Sequence, residues 1–195
     1  MGVRSVCIYC GSSLGNSPEY AEQASILART LAQNAITIVY GGAKVGLMGV
    51  IADTALAEGG KVIGVIPQSL VEKEVAHQGL SKIHVVESMH ERKALMSELS
   101  EGFIALPGGV GTFEEIFEVW TWAQLGFHSK PCGLLNISSY FDTLSAFISH
   151  AASEGFIKPQ HHEMLIVAAT VDELLARFNT YRPQTVKKWI SQNEI

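Results

Sequence analysis

The sequence predicts an α/β fold in which helices cover both faces of a doubly wound parallel sheet of about seven strands. Three observations lead to this prediction. Seven short apolar runs, mostly of β-branched residues, recur along the 195 residues. Helical hydrophobic patterns separate most of these runs, and three of the runs lead into loops of small residues. Continuous apolar runs of this kind suit parallel strands that are buried on both faces.

The elements follow from these runs in chain order. The first strand is VCIYC at residues 6–10, and the other strands are predicted at residues 37–42, 61–67, 84–88, 102–109, 132–136 and 164–169. Helices are predicted between them at residues 18–33, 46–58, 89–100, 112–125, 140–154 and 171–179. Because strands and helices alternate, we expect right-handed crossovers and a ligand beyond the carboxyl ends of the strands.

Two segments depart from this alternation. Residues 68–82, QSLVEKEVAHQGLSK, join strand to strand with mixed charge, and we expect a surface excursion that covers a pocket. The last residues are polar except for Trp189 and Ile190, which suggests a tail that docks through that pair. We therefore predict a single domain over residues 1–182 and a C-terminal tail over residues 183–195.

Composition and charge exclude several functions. The formal charge is -5, from 14 Lys and Arg against 19 Asp and Glu, and the pI is about 5.8. The chain therefore lacks the basic footprint that nucleic acids and anionic membranes require. No apolar run reaches the roughly 18 residues of a membrane span, and residues 1–4 lead directly into a strand. We expect a cytoplasmic protein with no nucleic-acid or membrane partner.

The cysteines and histidines give no sign of a redox pair or a metal site. Cys7 and Cys10 form a C-x-x-C, but they lie on a predicted strand, where residues three apart face opposite sides. We interpret them as small apolar strand residues. The histidines, including the adjacent His161 and His162, form no H-E-x-x-H or similar set, so we predict no metal.

Three glycine-rich loops follow predicted strands at the same sheet edge. They are CGSSLGN at residues 10–16, GGAKVGLMG at 41–49 and PGGVGTFEE at 107–115. Bare amides, the hydroxyls of Ser12, Ser13 and Thr112, and the charge of Lys44 would together suit an anionic ligand. The third glycine of the dinucleotide motif is missing, and no G-x-x-x-x-G-K-[ST] occurs. NAD dehydrogenases and P-loop NTPases are therefore disfavoured.

Carboxylates in the third loop have two interpretations. Thr112-x-x-Glu115 matches a capping box, and Glu114 and Glu118 would be acids near a positive helix end. Alternatively, Glu115 faces the sugar of a bound nucleotide while the phosphate takes the amides of Gly111 and Thr112. Residue types alone favour the capping box.

The segment MHERKALM, residues 89–96, opens a helix at the same edge. Cations there oppose the helix dipole, so Arg92 and Lys93 are not placed for helix stability. A solvated charged face is the default interpretation of such a run. The alternative is that the planar guanidinium of Arg92 binds a phosphate, a purine edge or a carboxylate.

Taken together, these motifs resemble those of the Lonely Guy family of cytokinin-activating phosphoribohydrolases. PGGVGTFEE matches the signature P-G-G-x-G-T-x-x-E, and MHERK matches M-x-x-R-K. GGAKVGLMG and CGSS are similar to two further loops of that family. The resemblance covers residue 6 to about residue 177.

This resemblance implies a Rossmann-like fold and a homodimer with active sites near the subunit contact. It also implies cofactor-free hydrolysis of nucleoside 5'-monophosphates, favouring adenine nucleotides with an N6 prenyl-type group, to free base and ribose 5-phosphate. The catalytic pair would be Arg92 and Glu115. The implied substrate contacts are Ser12, Gly42, Glu74, Met89, Lys93, Gly108, Gly109, Val110, Gly111, Thr112, Glu114 and Thr121.

Other functions stay open. One is a general nucleoside monophosphate hydrolase with no preference for cytokinins, and another is a non-catalytic carrier of a nucleotide or of molybdenum cofactor. The joint presence of Arg92 and Glu115 favours an enzyme. Members of this family have often been labelled lysine decarboxylases. The sequence does not support that activity, since no lysine stands out as a Schiff-base residue. An N6 pocket would draw on apolar residues that at helical spacing are more often core, such as Met89, Met96, Trp120 and Trp122.

Overall fold

The structure is a computed structural model that describes residues 2–71 and 76–183. The predicted contact Glu74 and nearly all of the predicted tail therefore lie outside the described residues. The strands of the described part are β1 (Ser5–Tyr9), β2 (Thr37–Tyr40), β3 (Val62–Pro67), β4 (Lys82–Val86), β5 (Phe103–Ala105), β6 (Cys132–Leu135) and β7 (Leu165–Ala168). Its α-helices are α1 (Pro18–Gln33), α2 (Gly46–Ala57), α3 (Gln68–Val71), α4 (Met89–Glu98), α5 (Val110–Leu125), α6 (Asp142–Ser153), α7 (Pro159–His162) and α8 (Val171–Thr180).

The seven strands form one sheet in the order β4-β3-β2-β1-β5-β6-β7. Every strand pairing is parallel. Helices α1, α2 and α8 supply buried side chains to the core on one face, while α4, α5 and α6 supply the core on the other. The predicted fold class is therefore confirmed, with helices on both faces.

Strand β1 shows why these runs form buried strands. Val6 and Ile8 pack into one core, while Cys7 and Tyr9 pack into the core on the opposite face. Cys10, just after the strand, lies in the first of these cores, so the two cysteines of the C-x-x-C are separated by the sheet. Burial raises the pKa of the Cys7 thiol to about 12. These thiols are apolar core groups.

Several element boundaries differ from the predicted ones. Helix α5 begins at Val110 rather than at residue 112, and β5 ends at Ala105 because Pro107 and the following glycines form a loop. The predicted excursion contains the short helix α3, and Ala76 then bridges to Ala43 in the loop after β2. No helix within the described ranges is long and apolar enough to cross a membrane.

The strand order reverses its direction across the sheet at the boundary between β1 and β5. Strands β2 to β4 extend one side of β1, whereas β5 to β7 extend the other. Connections from the two strands then lead to helices on opposite faces, which opens a crevice at their carboxyl ends. The amide of Gly11, after β1, donates to the Pro107 carbonyl, after β5, at 3.0 Å and closes the floor of this crevice.

Candidate active site

Two adjoining cavities occupy the crevice. The main cavity has a volume of about 340 Å³ and is lined by Cys10, Gly11, Ser12, Met48, Met89, Arg92, Gly109, Val110, Gly111, Thr112, Glu114 and Glu115. The side cavity has a volume of about 290 Å³ and is lined by Gly11, Ser12, Ser13, Leu14, Gly15, Tyr20, Leu47, Pro107, Gly108, Gly109 and Tyr140. Both cavities contact Gly11, Ser12 and Gly109, so these residues form the wall between them.

An ion pair between Arg92 and Glu115 lies at the main cavity. Arg92 Nη1 donates to Glu115 Oε1 at 2.8 Å, and Arg92 Nε donates to the Val65 carbonyl at 3.1 Å. The two side chains are only 10% and 12% exposed. The solvated charged face that the sequence suggested as a default is therefore wrong for Arg92. Its partner lies 23 residues away on another helix, where a local charge pattern cannot reveal it.

Local capping fixes the helix turn that carries Arg92. Ser88 is the N-cap of α4, and its hydroxyl accepts a hydrogen bond from the Glu91 amide at 3.1 Å. The Glu91 carboxylate in turn accepts from the Glu87 amide at 2.9 Å. These bonds satisfy amides that the helix leaves unpaired, and they set the direction in which the next turn presents its side chains.

The loop after β2 leaves room for the guanidinium. A Cβ atom on Gly41 would overlap Arg92 Nη2 and would lie 3.4 Å from the Met48 sulfur. Any larger residue at position 41 would therefore force the Arg92 guanidinium to move. The glycine that the sequence suggested as a bare amide for an anion serves here as space for a cation.

Glu115 lies in an environment that disfavours its charge. Burial raises the pKa of this carboxyl above the ordinary value of 4.5, and the nearby Arg92 guanidinium offsets only part of that effect. A carboxylate held this way is poorly hydrated and ready to interact with positive charge that develops nearby. Removing Arg92 would leave Glu115 buried without its partner, which costs about 3–5 kcal/mol in comparable buried pairs.

Lys93 makes a second set of ion pairs between α4 and α5. Its Nζ lies 2.5 Å from Glu114 Oε1 and 2.9 Å from Glu118 Oε1. Burial lowers the pKa of Lys93, but its hydrogen bonds to the two carboxylates outweigh burial, so the net pKa is raised. Lys93 is buried and is not among the residues that line the main cavity. Its contacts therefore hold the two helices together.

The predicted capping box at the start of α5 is wrong. The N-cap is Gly109, which makes no side-chain cap, and the Phe113 amide donates to the Gly109 carbonyl at 3.2 Å. Thr112 thus lies inside the first turn, and Glu115 turns to Arg92 instead of back to Thr112. The helix begins two residues early because the loop glycines permit it. Residues 110–112 of this first turn line the main cavity, where their amides suit an anion.

The glycines of the third loop are of two kinds. A Cβ on Gly108 would overlap the Thr112 hydroxyl and lie 2.8 Å from the Gly11 amide, so close packing requires glycine there. A Cβ on Gly109 or Gly111 would meet no atom within 4 Å in the described part of the chain. Packing does not explain these two glycines. An open approach to their amides does, since both line the main cavity.

The other predicted site residues divide into two groups. Ser12, Met89 and Val110 line the main cavity, and Met89 and Val110 are 47% and 82% exposed at its mouth. Gly42 and Thr121 are not among the lining residues. The Gly42 carbonyl accepts from the His77 amide at 2.9 Å, and the Thr121 hydroxyl donates to the Phe117 carbonyl at 2.7 Å. Their contact with substrate stays a prediction.

Several residues that line the cavities were not predicted as site residues. Cys10, Gly11 and Met48 line the main cavity. Their glycine-rich loops were predicted to suit an anionic ligand, but these three residues were not singled out. Tyr140 lines the side cavity, and no motif signalled it. Met96 and Trp120 are buried core residues, as their helical spacing suggested. Within residues 2–71 and 76–183, no three His, Cys, Asp or Glu side chains converge as a metal site requires.

This chain is similar to a known family and to known proteins over most of its length. The model of a family described as "Possible lysine decarboxylase" matches residues 48–178. A cytokinin riboside 5'-monophosphate phosphoribohydrolase from Rhodococcoides fascians is 50% identical over 174 residues, covering 89% of this chain and 88% of that protein. One from Arabidopsis thaliana is 44% identical over 179 residues, covering 92% of this chain and 82% of that protein.

Solved structures of more distant proteins share the fold. A molybdenum cofactor binding protein from Rippkaea orientalis has a TM-score of 0.70 at 17% identity, covering 92% of this chain and 98% of that one. A molybdenum cofactor carrier from Chlamydomonas reinhardtii has a TM-score of 0.67 at 19% identity, covering 88% and 93%. At these identities the likeness is one of fold alone.

We predict that Gly111→Ala separates anion binding from stability. The methyl group meets no neighbour, and alanine is favoured over glycine in a helix, so unfolding should require about 0.5–1 kcal/mol more. The same methyl group would block approach to the helix amides. We expect a melting temperature equal to or above that of the wild type and at least tenfold weaker binding of ribose 5-phosphate by calorimetry. Unchanged affinity for ribose 5-phosphate would contradict the assignment.

Proposed function

Because this chain belongs to the family of cytokinin riboside 5'-monophosphate phosphoribohydrolases, we propose that it hydrolyses the N-glycosidic bond of N6-modified adenosine 5'-monophosphates. The products are a free cytokinin base and ribose 5-phosphate. The observation that carries the proposal is the buried Arg92–Glu115 ion pair on the wall of a cavity that also contains the open amides at the start of α5.

The substrate is bound by both ends of its ribose phosphate. The 5'-phosphate takes the amides at residues 109–112, where the helix dipole favours an anion. Glu115 follows on the same helix and meets the ribose, and Ser12 on the opposite wall supplies a hydroxyl. A phosphate site and a carboxylate are then compatible, because they serve opposite ends of the sugar.

Hydrolysis breaks the bond between C1' of the ribose and N9 of the purine. The bonding electron pair leaves with the purine, the sugar gains positive charge, and water adds to C1'. The carboxylate of Glu115 stabilises the cationic sugar and accepts a proton from the attacking water. The purine takes a proton from solvent, so that free base and ribose 5-phosphate result.

Arg92 stabilises the departing purine by its charge. A guanidinium does not release its proton in proteins, so Arg92 is not the acid that protonates the base. Its bonds to Val65 and Glu115 use two of its five N–H groups. The remaining N–H groups are available to the developing negative charge on the purine.

A carrier function is the second candidate, because the fold resembles that of molybdenum cofactor carriers. The buried carboxylate argues against it. A carrier of an anionic ligand gains nothing from a desolvated negative charge beside its anion site, whereas stabilisation of a cationic sugar requires one.

Incubation of the purified protein with nucleotides tests the function directly. We expect release of free base and ribose 5-phosphate from isopentenyladenosine monophosphate, with slower release from AMP. Chromatography of the products provides the measurement. Equal rates with both nucleotides would favour a general nucleoside monophosphate hydrolase, and tight binding without release of base would favour a carrier.

We predict that Glu115→Gln removes most of the turnover while the protein stays folded. The variant keeps an oxygen for Arg92 but loses the charge, so kcat should fall at least about 100-fold. Gln has the size of Glu and keeps an oxygen that accepts from Arg92, but the guanidinium then lies buried without a counter-charge, so we expect a lower melting temperature in a protein that still folds. Glu118→Gln, one turn along α5 and in contact with Lys93, is the matched control. Turnover near the wild-type rate in Glu115→Gln would refute the catalytic role.

The pH profile gives this variant a second readout. The carboxylate is the active form, so kcat/KM should fall as the pH drops through the raised pKa of Glu115, with a midpoint above 4.5. The substrate phosphate also titrates near pH 6. The residual activity of Glu115→Gln should therefore keep the phosphate limb and lose the limb that Glu115 contributes.

We also propose that the chain acts as a homodimer, as the family resemblance implies. The exposed apolar side chains of Met89 and Val110 at the mouth of the main cavity support a subunit contact there. Light scattering should give twice the 21.1 kDa mass of the chain. Val110→Asp should shift the population towards monomer, and a wild-type mass of a single chain would contradict the dimer.

A further inference from the structure

The Tyr140 hydroxyl donates a hydrogen bond to the Gly108 carbonyl at 2.5 Å, across 32 residues of chain. We propose that Tyr140 is a positioning residue that sets the direction of the Gly109 N–H and thereby orients a donor for the 5'-phosphate. This role rests on the proposed function, because it concerns the phosphate of that substrate.

The argument begins with the geometry of one peptide bond. A trans peptide is planar, so the carbonyl of residue 108 and the N–H of residue 109 point in opposite directions. The described chain contains no cis peptide bond. Tyr140 and Gly108 line the side cavity, whereas Gly109 also lines the main cavity. A hydroxyl that holds the Gly108 carbonyl therefore turns the Gly109 N–H away from Tyr140, which on this proposal is towards the main cavity.

This peptide needs such a restraint because glycine lies on both of its sides. Glycine allows backbone orientations that other residues exclude. The peptide before it is already fixed, since the Pro107 carbonyl accepts from the Gly11 amide. Close packing against Thr112 and Gly11 also fixes the position of Gly108. Gly109 faces open space, so packing does not restrain its side of the peptide.

The backbone just before Tyr140 has an unusual conformation. Ser138 and Ser139 have φ angles of 49° and 60°, in the left-handed region that costs non-glycine residues about 1–3 kcal/mol each. The Asn136 side chain stabilises this turn, because it donates to Asp142 Oδ1 and accepts from the Phe141 amide, both at 2.7 Å. The hydroxyl of Ser138 also bonds to Glu19. Strain that neighbouring bonds maintain in this way is typical of functional sites.

Aromatic packing fixes the Tyr140 ring. It contacts Tyr20 edge to face at a centroid distance of 5.8 Å and Phe141 at 5.0 Å. The turn and the two rings together direct the hydroxyl onto the Gly108 carbonyl. Removing the hydroxyl alone should therefore leave the ring in place and free the peptide.

Tyr140→Phe tests this role. Removing the hydroxyl should weaken the hydrogen bond from the Gly109 N–H to the charged phosphate. We therefore expect KM for AMP to rise about tenfold, with kcat changed less than threefold. In calorimetry, the affinity for ribose 5-phosphate should fall by a similar factor, while the affinity for adenosine, which lacks the phosphate, should stay unchanged. Tyr20→Phe is the matched control, because its ring packs on Tyr140 in the same side cavity.

The outcomes separate this proposal from the proposed function. Calorimetry with ribose 5-phosphate requires no turnover, so a wild-type protein that binds it but releases no base would refute the function while still testing Tyr140. Equal loss of affinity for adenosine and ribose 5-phosphate would indicate a general structural defect and overturn the positioning role. Wild-type affinity for ribose 5-phosphate in Tyr140→Phe would overturn it as well, as would a wild-type protein that binds no ribose 5-phosphate.

Discussion

The buried ion pair between Arg92 and Glu115 is the interaction on which the site depends. Helix α4 follows β4 at one edge of the sheet, and α5 follows β5 beyond the centre. The two helices meet near their N-termini through this pair, which closes one wall of the main cavity. Desolvation makes such a pair a poor source of stability. Its value lies in orientation, because both charged groups are held in fixed positions before a ligand arrives.

Adjacent residues of α4 have different tasks. Arg92 lines the main cavity together with Glu114 and Glu115, whereas Lys93 pairs with Glu114 and Glu118 and stays out of the lining. Three carboxylates against two cations leave this cluster with an excess negative charge, next to a proposed phosphate site. The amides and dipole of α5 must offset that charge for an anion to bind. The open approach at Gly109 and Gly111 is consistent with this requirement.

Sequence patterns predicted the sheet well, because most of its strands are short, apolar and buried on both faces, and the seven predicted runs correspond to β1–β7. The edge strand β4 is an exception, since only Val86 of its five residues is buried. Sequence patterns failed where a side chain bonds to a residue that is distant in the chain. The pattern Thr112-x-x-Glu115 suggested a local cap, but Arg92 takes the carboxylate from another helix. Tyr140 gave no signal at all, because it bonds to a backbone carbonyl and its turn uses serines in left-handed conformations rather than glycine or asparagine.

The same fold serves proteins of different function, so the distinction between them must lie in the site. Open glycine amides and a helix N-terminus bind an anion in a carrier as well as in an enzyme. A buried carboxylate with a raised pKa differs from these anion-binding groups, because its charge opposes anion binding and its burial is unfavourable. Such a group is useful where positive charge develops during the reaction. The cleavage of an N-glycosidic bond creates that charge at the ribose carbon, between the phosphate and the purine. Glu115 therefore argues for catalysis more strongly than the glycine loops do.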